Sequence, residues 1–106
     1  SSENRSQLIR IPAASGEYRR AELRSPDPIC NPYLAFALMI HAGLDGIRNA
    51  MALPPAADIN FFSAPESVKA AFRTLPKTLS EAKNAAAESA FLRRILPEAI
   101  IESYTA

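Results

Sequence analysis

Apolar and polar positions alternate near the start of the chain and then change period. Leu8 to Ile11 is a short, branched apolar run around Arg10, a composition that favours a β-strand. Arg20 to Ser25 reads Arg, Ala, Glu, Leu, Arg, Ser, which is a period-2 pattern. Between them, residues 13–17 contain Ser15 and Gly16 and read as a turn. The pattern predicts an antiparallel hairpin with a loop of about five residues. Pro26 and Pro28 end its second strand, because proline cannot donate to a ladder.

From residue 31 the spacing becomes helical. Asn31 suits an N-cap and Pro32 the first helical position, where a missing N–H costs nothing. Tyr33, Phe36, Ala37, Ile40, Leu44 and Ile47 form one stripe, and Leu34, Leu38 and Ala42 add a second apolar face. A helix apolar over most of its circumference is predicted to be buried, so this one is expected to be the core element. Residues 51–58, with Pro54 and Pro55, read as a linker. Ser63 with Glu66 and Thr78 with Glu81 both match the capping-box spacing. The second box is expected to open an alanine-rich helix running to about Glu88. Phe91, Leu92 and Ile95, then Ile100, Ile101 and Tyr104, predict two short helical stretches around Pro97. The expected fold class is α+β, an N-terminal β-hairpin followed by a mostly helical C-terminal part, with the hairpin in 1–28 and the helices in 31–106.

Length and charge narrow the function classes. A chain of 106 residues, 48% of them hydrophobic, supports one domain with a modest core and little material for a closed active site. Twelve basic and 11 acidic residues leave a formal charge of +1, without the basic face of a nucleic-acid module. No apolar run approaches the ~20 residues that span a bilayer. The first residues lack a basic-then-apolar leader pattern, and Cys30, as the only cysteine, excludes an internal disulfide. A soluble, cytoplasmic protein is expected, with no nucleic-acid or membrane partner.

The chemistry-bearing residues concentrate in the hairpin. Alternation projects Arg20, Glu22 and Arg24 from one face of the second strand, with Ala21 and Leu23 on the other. Arginines bind phosphate or carboxylate oxygens bidentately, and a glutamate between them can hold a hard cation that bridges phosphates. Such a face neutralises the charge that develops in phosphoryl transfer. Arg10 could lie beside it, and Arg5 sits where the first strand begins. The commoner use of an Arg-Glu-Arg alternation is a solvated hairpin face with cross-strand ion pairs. No aromatic residues interleave with the arginines as a base-stacking platform requires. His41 lacks metal-spaced partners and is expected to be packed or interfacial. Cys30 reads as structural, and Asp27 as a turn former.

These residues also carry a family resemblance. Asn4-Arg5-Ser6, Ile9-Arg10-Ile11-Pro12 and Arg20-Ala21-Glu22-Leu23-Arg24 closely resemble the end of the catalytic domain of type I glutamine synthetases. Pro26-Asp27-Pro28, Asn31-Pro32-Tyr33-Leu34-Ala35 and Ala42-Gly43-Leu44-Asp45-Gly46-Ile47 continue it. The likeness is dense from about Asn4 to Ile47 and looser beyond, where residues 78–82 and 91–96 resemble the family's last helices. It implies an ATP-dependent glutamate–ammonia ligase using Mg2+ or Mn2+, working as a homo-oligomer, a dodecamer in this family. Glu22 matches a carboxylate that binds one of the paired cations, the one shared with the ATP phosphates. Arg24 matches an arginine on glutamate and its γ-glutamyl phosphate, and Arg5 one that stabilises the transferring phosphoryl group. Arg10 and Arg20 match residues near the nucleotide phosphates.

The resemblance further implies that this piece is inactive alone, because the remaining metal ligands and the ammonia site lie elsewhere in the family. Some members are controlled by adenylylation of a tyrosine after the long helix; the matching position here is Phe62, which has no hydroxyl. Two other expectations stand beside this one: a ligase joining glutamate to another amine, and a non-catalytic nucleotide-binding or interaction module. An isolated fragment is expected to expose apolar surface on the hairpin and on the long helix, and to self-associate.

Overall fold

The computed structural model describes residues 6–106, which divide into two compact units, 6–30 with 52–73 and 31–51 with 74–106. In the first unit, β1 (Ile9–Arg10) pairs antiparallel with β2 (Glu22–Leu23), Ile9 opposite Leu23 and Arg10 opposite Glu22. One more bond, from the Arg24 N–H to the Leu8 carbonyl at 2.7 Å, extends the ladder. The strands are shorter than their period-2 stretches, and residues 11–21 connect them instead of a loop of about five. Pro12 has no N–H to continue the ladder, so β1 stops there. The connection holds a single 3-10 turn, Gly16–Tyr18, entered at Gly16 with φ +59°, a conformation glycine adopts without strain.

Asp27 forms the turn expected of it: its Oδ1 accepts from the Ile29 N–H at 2.9 Å, and its carbonyl from the Cys30 N–H at 3.0 Å. Residues 52–60 carry no regular structure, as the linker reading predicted. A turn at 60–64 leads to the one-turn helix α2 (Glu66–Lys69). The capping box predicted at Ser63 does not form. The helix is capped at Pro65 without a side-chain bond, and Glu66 pairs with Lys69 at 3.0 Å. Proline disfavours helical geometry in the residue before it, so the helix cannot begin as far upstream as Ser63 requires. Phe61 and Phe72 stack edge to face, with centroids 5.0 Å apart.

In the second unit, α1 (Pro32–Arg48) begins as its sequence specifies, with Asn31 Oδ1 accepting from the Tyr33 N–H at 3.0 Å and Pro32 at the first position. It ends in a Schellman motif. The Met51 N–H reaches the Gly46 carbonyl at 3.0 Å and the Ala50 N–H the Ile47 carbonyl at 3.2 Å, with Ala50 at φ +46° where glycine is usual. The helix α3 (Leu79–Ala87) is capped by Thr78, whose Oγ1 accepts from the Glu81 N–H at 3.1 Å. Glu81 reaches back one residue further than in a standard box and accepts from the Lys77 N–H at 2.8 Å. Ser89 caps α4 (Ala90–Ile95), and Pro97 precedes α5 (Glu98–Thr105), the two helical stretches predicted around that proline.

α3 packs on α5, and α4 on both α1 and α5. Arg93 donates to the Ala87 carbonyl at 2.7 Å and to Glu98 Oε1 at 3.0 Å, tying the end of α3 to the start of α5. Ile101 in α5, 4% exposed, is the buried side chain of this unit.

The expectation that α1 forms a buried core is overturned: no residue of α1 is buried, and Tyr33 and Ile47 are 85% and 78% exposed. A helix apolar around most of its circumference needs partners on several sides, and within its unit α1 packs chiefly on α4. Apolar surface is thus open on α1 and on Leu8, Ile9 and Leu23 of the hairpin, as anticipated for an isolated piece. His41 and Cys30 are both exposed, which removes the packed alternative for His41 and leaves the interfacial one. No helix among the described residues is long and apolar enough to cross a membrane.

Candidate functional site: the hairpin carboxylate and its arginines

The cross-strand pair Arg10–Glu22 is the centre of the site. Antiparallel pairing sets the two residues opposite each other, so their side chains share a face. Arg10 Nη1 donates to both Glu22 oxygens at 3.0 Å, and Arg20 Nη2, two residues along the strand, donates to Oε1 at 3.3 Å. Arg10 is the more enclosed partner, its side chain 16% exposed against 57% for Arg20. The Arg10 hydrogen bonds hold the Glu22 carboxyl below its ordinary pKa, its charge and the Arg20 contacts add to this, and partial desolvation opposes it. Glu22 is therefore ionised at neutral pH.

The structure brings Arg10, Arg20 and Glu22 together. Arg24 shares the face by alternation, yet its exposed guanidinium makes no hydrogen bond or ion pair with another described residue. It stands as an open fork of five donors, suited to a carboxylate or phosphate. Arg5 lies outside the described residues. A hairpin held only by cross-strand ion pairs would show the same Arg10–Glu22–Arg20 contacts, so geometry by itself does not separate that reading from an anion-binding one.

Glu22 suits a hard divalent cation as one ligand of several. An ionised carboxylate presents about four lone-pair positions. Three are taken by the guanidinium bonds, which leaves one on Oε2. No group of three or more His, Cys, Asp or Glu side chains that could enclose a cation occurs among the described residues. Glu22 can thus contribute one oxygen, with further donors required from beyond this set.

Ser6, upstream of β1 in the same unit, carries no role from its sequence pattern. The Ser6 hydroxyl accepts from the Phe61 N–H at 2.9 Å and donates to the Ile59 carbonyl at 3.3 Å. The partners are 55 and 53 residues away along the chain, so no local pattern marks them. Phe62, next to this anchor, is 82% exposed.

Comparison with known proteins agrees with the resemblance carried by the hairpin residues. The chain is 46% identical over 106 residues to the glutamine synthetase of Methanosarcina mazei, covering 98% of this chain and 24% of that protein. It is 47% identical over 100 residues to the glutamine synthetase of Thermus thermophilus, covering 92% and 22%. The Staphylococcus aureus glutamine synthetase is 37% identical over 106 residues, covering 98% and 24%. The chain thus spans about a quarter of the length of these curated relatives. The family profile described as glutamine synthetase, catalytic domain, matches residues 1–106, and the chain belongs to that family.

Proposed function

We propose that this chain is part of an ATP-dependent glutamate–ammonia ligase, and that its hairpin supplies a section of the wall against which phosphoryl transfer occurs. In the whole enzyme ATP phosphorylates the γ-carboxylate of glutamate, and ammonia then displaces phosphate to leave glutamine. The observation that carries the reading is the ionised Glu22 held between Arg10 and Arg20, with Arg24 an open fork on the same strand.

Each side chain has a distinct task. Glu22 offers one carboxylate oxygen to a Mg2+ or Mn2+ ion, which when bound neutralises the β- and γ-phosphate oxygens. Arg10 and Arg20 orient that carboxylate and lower its pKa, and add positive charge beside the nucleotide phosphates. Arg24 binds glutamate and its γ-glutamyl phosphate through the guanidinium fork. Arg5 stabilises the phosphoryl group in flight, the task in which an arginine is worth the most. The chain alone is inactive in this reading, because a single carboxylate does not make a two-cation site. The whole enzyme is placed in the cytoplasm as a homo-oligomer, a dodecamer by the habit of the family.

The test is ligation of glutamate by the full-length gene product with Mg–ATP and ammonia, with and without Glu22→Gln. Loss of roughly 10²-fold or more in kcat is expected from the neutral isostere. Activity surviving in the mutant removes Glu22 from the cation site. An active site that turns over only with another amine moves the assignment to a different glutamate ligase.

A further inference from the structure

We propose that Ser6 is a positioning residue that couples the 59–63 turn to the phosphate-facing hairpin, an inference that rests on the ligase reading above. Three observations carry it. The Ser6 hydroxyl uses both its donor and an acceptor position on the backbone of this turn, at Ile59 and Phe61. The turn is closed on itself: Asn60 Oδ1 accepts from the Phe62 N–H at 3.0 Å, and the Asn60 carbonyl from the N–H groups of Ser63 at 3.2 Å and Ala64 at 2.9 Å. The Phe61 ring is packed edge to face on Phe72. A turn so closed moves as a unit, and Ser6 grips it on either side of Asn60.

The other side of Ser6 leads straight to the site. Arg5 precedes it in the chain, and β1 with Arg10 begins three residues later. Displacement of the turn therefore pulls on the segment that enters the Arg10–Glu22 pair, and a ligand that orders this pair stiffens the turn in return. A hydroxyl that satisfies an N–H and a C=O at once is a two-point attachment, which alanine cannot replace and threonine can. Supporting groups of this kind commonly change affinity or rate by ~10–100-fold without touching substrate.

The experiment uses the full-length enzyme and Mg–ADP as the probe. Amide exchange at Phe61 is measured with and without the nucleotide, in the wild type, Ser6→Ala and Ser6→Thr, beside KM for Mg–ATP and kcat. The expected result is that Mg–ADP slows Phe61 exchange in the wild type and Ser6→Thr and leaves it unchanged in Ser6→Ala. Ser6→Ala should raise KM for Mg–ATP about 10-fold while Ser6→Thr stays near wild type. Mg–ADP binding to the wild type without any change at Phe61 overturns the coupling and leaves the ligase reading standing. Ser6→Ala with wild-type KM and kcat overturns it equally, even if Phe61 exchange is faster. Absence of Mg–ADP binding to the wild type instead sinks the ligase reading, and the coupling with it.

Discussion

Arg10 Nη1 lies 3.0 Å from both carboxylate oxygens of Glu22, across the one register pair that sets a basic residue opposite an acidic one in the hairpin. The pair ties the two strands of the hairpin on this face and charges the proposed site at once. Without Arg10 the two-residue strands lose their cross-strand contact on this face, and Glu22 loses the partner that most lowers its pKa.

Glu22 should titrate below the ordinary glutamate value of 4.5. Its folded pKa is lowered, so the unfolded chain binds the proton more readily, and stability from this group rises with pH. The contribution is complete above about 4.5 and is lost as pH falls through the lowered folded value. Carboxyl 13C shifts of labelled Glu22 against pH give the midpoint directly. Arg10→Ala should move it back toward 4.5 by more than Arg20→Ala, because the Arg10 hydrogen bonds contribute most. Equal shifts from the two variants would contradict this assignment.

Ala50 occupies a left-handed position, φ +46°, at the end of α1. Glycine there removes the Cβ clash, worth ~1–2 kcal/mol, and returns part of it as chain entropy, ~0.4–1 kcal/mol. Ala50→Gly should therefore stabilise the helix end by about 0.5–1 kcal/mol. Slower exchange of the Met51 amide, which bonds to Gly46, is the readout. Faster exchange would mean that the terminus does not carry this strain.

Asn31→Ala should cost about 1 kcal/mol, because the Tyr33 and Leu34 N–H groups lose their common acceptor. Asn31→Asp should retain most of the stability, since the carboxylate accepts the same bonds and opposes the helix dipole favourably. Thermal melting followed by helix ellipticity compares the three proteins. An alanine variant that melts with the wild type would show the cap to be energetically idle.

The isolated chain should self-associate through the open face of α1, where Phe36 and Ile40 are both exposed. Burying one such side chain is worth roughly 1.5–3 kcal/mol, so the double variant Phe36→Ser with Ile40→Ser should weaken association more than tenfold. Sedimentation velocity over a concentration series tests this. A wild-type chain that stays monomeric at the highest concentration defeats the prediction.

What the sequence determined by itself about this protein was local. The Asn31-Pro32 start of α1, the Asp27 turn, the Thr78 cap and the break at Pro97 each depend on atoms within four residues, so the residue types settle them. The period-2 alternation also placed Arg20 beside Glu22, and the hairpin words carried the family. Only the tertiary structure decided the long-range terms. It matched Arg10 to Glu22, lengthened the connection to residues 11–21, and joined Ser6 to a turn more than 50 residues away. It also left α1 open, although its apolar pattern pointed to a buried helix. Periodicity reports that a face must be covered but is silent on what covers it, because burial belongs to the surfaces that meet rather than to either one.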